Sequence, residues 1–391
     1  MKNGKIIIDD VRIAGSAYGL DYGWLLIEGG RIQTMASGAV PAVVKDQAET
    51  IIQGKAALAL PGFIDLHTHG AAGVNLMDAD EAGFQKVSQF FASHGVTGFL
   101  ATSWSASSQS IERMLATVKM VMGRETGATL LGVHLEGPFI NPARAGAQSP
   151  REIRPATSEE VLPYLDSGMV KLVTLAPEIE ENQWLMQACV ERGIRVSVGH
   201  SDATYLEMRH AVERGLSHVS HTFNGMRAFN HREPGVVGAA LEIDDLTCEV
   251  IADGVHVHPA AIRLLLRSKP GDKVALITDS IPAAGLPPGV IYLQGRKVRF
   301  SEREARLQDG TLAGSVLTMD QALRNLEQMT GKPVEDLYRY SSLNAARVLG
   351  LSDSKGVIQE GKDADLVLLD SSLQVELTMV SGKIVYQRRV E

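Results

Sequence analysis

Cysteine is scarce in this chain: Cys189 and Cys248 are the only two among 391 residues. Two thiols cannot build a disulfide framework or a cysteine-rich metal knot, and both are read as reduced core residues. Positive charge is also in deficit, with 38 Lys and Arg against 46 Asp and Glu, for a formal net charge of −8. Nucleic-acid binding needs a basic face, so no nucleic-acid partner is expected. An anionic ligand would have to be held by a few local groups. No apolar run approaches the roughly 20 residues of a membrane span, and MKNGKIIIDD at the start has no signal-peptide apolar region. The expectation is a cytoplasmic protein with no membrane partner. The chain has no Walker motif and no Gly-x-Gly-x-x-Gly after its first strand, which leaves a doubly wound nucleotide-binding sheet without support. No 20–50-residue period and no low-complexity tract occurs either.

What is present is an alternation of strand and helix patterns. Between Pro61 and about residue 350, near-continuous apolar strands are predicted at Phe63–His67, Gly95–Thr102, Leu130–Glu136, Val170–Ala176, Ile194–His200, His218–Phe223, Thr247–Ala252 and Lys273–Asp279. Helical spacing fits Glu81–Ser93, Ser108–Met122, Ser158–Asp166, Asn182–Glu191, Ala203–Glu213 and Pro259–Arg267, with closing helices at Asp320–Met329 and Val334–Leu349. Eight buried strands with intervening helices indicate an α/β fold, a parallel (β/α)8 TIM barrel. Residues 1–56 read differently, as short strands at Lys5–Ile8, Trp24–Glu28, Arg31–Met35 and Thr50–Gln53 with no convincing helix. The other end matches in style, at Ala364–Leu369, Val375–Val380 and Gly382–Gln387. A small β-sandwich is therefore expected from residues 1–56 and 353–391, flanking a barrel over 57–352. Prolines and glycines in Ile281–Ser315 break the rhythm and predict a hairpin insertion, near 286–313, over the barrel mouth.

The strand ends carry the chemistry. In PGFIDLHTHG, His67 and His69 stand two residues apart and so project to the same side of an extended chain. Two imidazoles converging on one point suit a divalent metal, although an isolated His-x-His also fits a hydrogen-bonded pair. Four other strands also end on a potential ligand: Glu136, His200, His221 and Asp279. Barrel enzymes build their sites at that C-terminal face, and scattered core histidines have no reason to gather there. Asp279 is read as a general acid/base beside the metal, with a helix N-cap as its structural alternative. His134 is assigned to support or packing, and His94, His210, His218, His231 and His258 to surface or packing roles.

The stretches PGFIDLHTHG, GVHLEGPFINP, VGHSDAT, HTFNGM, HREPG, IADGVHVHP, LITDSIPAAG and TLAGSVLTM run in order through almost the whole chain. They resemble the amidohydrolase superfamily and, more closely, the N-acetylglucosamine-6-phosphate deacetylase family. The resemblance implies metal ligands at Glu136, His200 and His221, and a further contribution from His67, His69 and Asp279. Relatives without the His-x-His pair keep one metal, so one or two divalent ions, zinc, iron or similar, are implied. It further implies substrate contacts at Ala147, Gln148, Asn224, Gly225, Asp253, His256, Leu312, Ala313 and Gly314, with Asn224 and Gly225 offering backbone N–H groups to a phosphate. Arg232 is implied as a phosphate-binding cation reaching in from the second subunit of a homodimer. His256 is read as polarising an acetamide carbonyl. Gln148 stands where several relatives have His, which exchanges a titratable ring for a neutral amide.

The expected activity is hydrolysis of N-acetyl-D-glucosamine 6-phosphate to D-glucosamine 6-phosphate and acetate, with Asp279 carrying the proton to the leaving amine. The alternatives are the galactosamine epimer as substrate, and a catalytically inactive sugar-phosphate-binding barrel.

Overall fold

The structure is a computed structural model that describes residues 4–14 and 22–388. Eight parallel strands follow one another around a single sheet in chain order: Phe63–Thr68, Val96–Thr102, Thr129–Glu136, Val170–Leu175, Arg195–Val198, Leu216–Val219, Thr247–Ile251 and Val274–Ile277. The eighth closes on the first where Thr68 bridges Ser280 and the Asp279 N–H donates to the His67 carbonyl at 2.8 Å. This is the (β/α)8 TIM barrel. Its first strand is buried along its whole length, as a strand covered on both faces must be. Three strands stop two or more residues short of the sequence reading, at Val198, Val219 and Ile277. The reason is local: His200, His221 and Asp279 take φ of +48°, +31° and +48°, values that extended backbone does not adopt.

The helices at Glu81–Ser93 and Ser158–Asp166 have the predicted bounds. One crossover helix, Gly235–Glu242, has no counterpart in the sequence reading. Val334–Leu349 divides in two, Val334–Ser341 and Leu343–Val348, because Ser342 leaves helical geometry and its hydroxyl donates to the Pro61 carbonyl at 3.1 Å.

Both chain ends meet in a seven-stranded sheet. Ile6–Ile13, Gly23–Glu28, Arg31–Ser37 and Thr50–Pro61 join Leu366–Leu369, Val375–Val380 and Lys383–Gln387. Its core unites Ile32 and Met35 from one edge with Leu377 and Met379 near the other, so the sheet folds over on itself as a sandwich. Thr50–Pro61 runs well past the expected Gln53 and through the expected break at 56–57. Positive φ at Lys55 and Ala56 bends it, and its far end pairs with Leu366–Leu369. A single helical turn, Ala42–Lys45, also lies in the stretch read as free of helix.

The insertion is an antiparallel hairpin, Gly289–Leu293 with Arg296–Phe300, followed by a third strand, Ala305–Leu307. Gln294 and Gly295 both have positive φ, as a two-residue hairpin turn requires. Among the described residues, no helix is long and apolar enough to cross a membrane.

Candidate metal centre and active site

Three ligand-bearing residues sit at positive φ where barrel strands end. Non-glycine residues tolerate such backbone only when the surroundings impose it, and these positions gather at functional sites. Here the imposed geometry turns side chains from separate strands onto one point. Glu136 Oε1 lies 3.0 Å from His200 Nε2 and 2.9 Å from His221 Nε2, and the two nitrogens are 3.1 Å apart. The far nitrogens are committed: His200 Nδ1 lies 2.9 Å from the Arg144 carbonyl and His221 Nδ1 lies 3.1 Å from the Asn224 carbonyl. A carbonyl only accepts, so both rings carry their proton on Nδ1 and turn lone pairs toward each other. Two lone pairs and a carboxylate oxygen at such distances repel unless a cation lies among them.

A second group adjoins the first. His69 Nε2 lies 3.2 Å from Glu136 Oε2 and 3.3 Å from Asp279 Oδ1. His67 Nε2 lies 3.4 Å from Glu136 Oε1 and 3.7 Å from Asp279 Oδ1, and has no hydrogen-bond partner in a fully buried position. Ligand atoms of Glu136, His200 and His221, and of His67, His69 and Asp279, thus form two sets that could each hold a metal ion. Imidazole nitrogen with carboxylate oxygen is a donor set suited to zinc, iron and similar ions.

Electrostatics point the same way. Burial would raise the Glu136 carboxyl, and only positive charge beside it, from protonated His67 and His200 rings or from an ion among their lone pairs, holds it well below the usual range. Burial likewise opposes ionisation of Asp279, and His67 and His69 bring it down. Both carboxylates are ionised at neutral pH. Burial pushes Asp65 up to about 7, against hydrogen bonds from Thr278 and the His67 N–H. Its 2.6 Å bond to the Thr278 hydroxyl ties the first strand to the last.

The site opens into a cavity of about 310 Å³. Of the residues expected to meet substrate, Ala147, Gln148, Asn224, Gly225, His256, Leu312 and Gly314 line it. Ala313 is buried behind them. Asp253 stands behind His256: its Oδ2 lies 2.6 Å from His256 Nδ1, and its Oδ1 accepts the Val255 and His256 N–H groups. Burial would lower the His256 pKa, but Asp253 raises it, which favours the doubly protonated ring whose second N–H can face the cavity. The Asn224 N–H donates to the His221 carbonyl at 2.9 Å, a turn hydrogen bond that a phosphate would have to share or displace. Gln148 is more than a wall of the pocket: its amide donates to Glu136 Oε2 at 2.6 Å and accepts the Ser105 N–H at 2.7 Å. Arg232 is exposed on the loop before Pro234 and does not line the cavity of its own chain.

Three residues escaped the sequence reading. Trp104 stacks on His69 with ring centroids 3.7 Å apart, and nothing in SWSAS marks it. Arg306, the one Lys or Arg lining the cavity among the described residues, comes from the insertion and is tied to Glu304 at 2.8 Å. Glu249 lies 2.9 Å from His67 Nδ1 and 3.0 Å from His218 Nε2, so His218 is a buried partner of this carboxylate. The signal was a charged residue inside the apolar strand TCEVI.

The Amidohydrolase family model matches residues 58–385. The chain is 38% identical over 389 residues to N-acetylglucosamine-6-phosphate deacetylase of Bacillus subtilis (strain 168), covering 98% of this chain and 97% of that one. It is similar in structure to N-acetylglucosamine-6-phosphate deacetylase of Thermotoga maritima, with a TM-score of 0.88, 37% identity and coverage of 98% and 100% of the two chains. A mutant N-acetyl-D-glucosamine-6-phosphate deacetylase of Mycobacterium smegmatis, solved in complex with N-acetyl-D-glucosamine-6-phosphate, gives a TM-score of 0.89 at 32% identity, with coverage of 98% and 100%.

Proposed function

The chain belongs to the amidohydrolase family, and we propose that it hydrolyses N-acetyl-D-glucosamine 6-phosphate to D-glucosamine 6-phosphate and acetate. The observation that carries this is the convergence of His200 and His221 on Glu136 at 3.0 and 2.9 Å, with Asp279 beside them. Glu136, His200 and His221 would hold one divalent ion, and His67, His69 and Asp279 a second, zinc or iron being suited to the donors. Such ions lower the pKa of water and polarise a carbonyl. Asp279, ionised at neutral pH, accepts the proton of the attacking water and passes it to the amine as the C–N bond breaks. His256, protonated against Asp253, donates to the acetamide oxygen as charge develops on it. The 312–314 segment and Ala147 shape the sugar pocket. The Gly225 N–H and Arg232 of a neighbouring subunit take the phosphate, which makes the working enzyme a homodimer. Both cysteines are free and buried, in keeping with a reducing, cytoplasmic setting.

The test is acetate release from the 6-phosphates of N-acetylglucosamine and N-acetylgalactosamine, with metal analysis of the same sample. Release from the glucosamine epimer, faster than from the galactosamine epimer and abolished by chelation, is expected. Preference for the galactosamine epimer would reassign the substrate. No release from either, with metal restored, would leave a sugar-phosphate binder.

A further inference from the structure

We propose that Glu249 is the positioning residue that makes His67 a metal ligand and links the two metal-binding groups. It stands on the seventh barrel strand, Thr247–Ile251, and is fully buried. An isolated carboxylate there would be strongly disfavoured, so its partners define its purpose. Oε2 lies 2.9 Å from His67 Nδ1 and 3.1 Å from the His221 backbone nitrogen, and Oε1 lies 3.0 Å from His218 Nε2. An ionised carboxylate only accepts, so the His67 proton is fixed on Nδ1. Nε2 is thereby left as a lone pair aimed at the carboxylates of Glu136 and Asp279, 3.4 and 3.7 Å away. The oxygen that orients this ring also holds the backbone of His221, at a φ of +31°. One side chain therefore sets the imidazole of one metal group and the strand end of the other. A carboxylate behind a ligating imidazole raises the ring's basicity as well as fixing its tautomer.

This rests on the two-ion reading above, and the test separates the two. Metal-free wild type and Glu249→Gln are titrated with Zn2+ by calorimetry, and bound zinc is counted after dialysis at graded free zinc. Gln keeps the shape and one acceptor for His67 and His221 but removes the charge. The ion at Glu136, His200 and His221 should bind within about threefold of wild type, while the ion at the His67 group weakens about 10- to 100-fold. At intermediate zinc the variant should hold one ion per chain where wild type holds two. A side chain that merely held the fold would lower the Tm of the metal-free protein and weaken both ions alike. Equal weakening, or none, overturns the proposal. If Glu249→Gln does not fold, Glu249→Asp withdraws the charge from His67 Nδ1 and the His221 N–H together, so the ion at the His67 group should weaken more than the other; equal weakening, or none, counts against the proposal. A wild type that binds one ion, unaffected by His67→Ala, overturns the two-ion reading and the role of Glu249 with it. Two ions in wild type without selective loss overturns the role alone.

Discussion

Asp279 shows how much one residue is asked to do. Its backbone closes the barrel through the His67 carbonyl, its φ of +48° ends the strand, and its carboxylate faces His69 at 3.3 Å. The helix N-cap alternative is gone, since no helix begins there. Ligation and proton transfer can be separated by Asp279→Asn, which keeps one oxygen for a metal but cannot carry a proton. If proton transfer is the main role, kcat should fall by about 100- to 10,000-fold, with KM and the metal count close to wild type. Steady-state kinetics and metal analysis on one preparation decide it. A variant within tenfold of wild type would refute the proton role, and loss of metal together with activity would make Asp279 chiefly a ligand. Gln148 shows the opposite case: sequence assigns it to the sugar, and its amide also donates to Glu136 and accepts from Ser105. A neutral amide can bridge an acceptor and a donor at once, which its residue type allowed but could not reveal.

Among the elements, legibility followed periodicity. Glu81–Ser93 and Ser158–Asp166 have a polar face and a buried face, and both were readable to the residue. Gly235–Glu242, GVVGAALE, is buried through its first six residues and therefore shows no amphipathic stripe, while two glycines and two valines argue against a helix locally. The strand ends were legible as chemistry but overrun as strands, because nothing in sequence announces a histidine at positive φ. Glu249 was visible as a charge in a buried strand, but its partners lie on other strands and are joined only by the fold. Asp320, in the helix Met319–Thr330, joins the last part of the barrel to the first helix through His94 Nδ1 at 3.0 Å and to Arg324 at 2.9 Å. Burial would raise its pKa, but His94 and Arg324 bring it down from 3.8 to about 2. A depressed carboxylate stabilises the fold above its unfolded pKa, and that contribution is lost as pH falls from 3.8 through about 2. It amounts to about 2 kcal/mol at neutral pH. Asp320→Asn should therefore lower the urea midpoint at pH 6 and converge on wild type only as the pH falls to about 2. Parallel midpoint curves from pH 6 to pH 2 would show that this ion pair does not contribute to acid sensitivity.

For the whole molecule the question is how a chain of net charge −8 holds a substrate whose phosphate carries nearly two negative charges. The overall field is unfavourable, so the attraction must be local, and a guanidinium matches phosphate oxygens in a two-pronged way. Within one chain, Arg306 lines the cavity and already has Glu304 as its partner. Arg232 is exposed, and among the described residues its backbone N–H is tied down by Asn230 at 2.9 Å. On the proposal that Arg232 serves a neighbour's cavity, assembly becomes a condition of phosphate binding. A hydrogen bond to a charged group contributes roughly 1.5–3 kcal/mol, so Arg232→Ala should lower kcat/KM for the 6-phosphate by about 10- to 150-fold. Activity on unphosphorylated N-acetylglucosamine should barely change. The same loss in Arg306→Ala, with Arg232→Ala unaffected, would put the phosphate on the insertion of its own chain. Mixing Arg232→Ala with Asp279→Asn subunits then tests the crossing directly. A heterodimer contains one site that joins the first chain's Asp279 to the second chain's Arg232, so activity should reappear as subunits exchange. If exchange is demonstrated by mass and activity does not return, Arg232 acts within its own chain or outside the site, and the dimer is not needed for phosphate recognition.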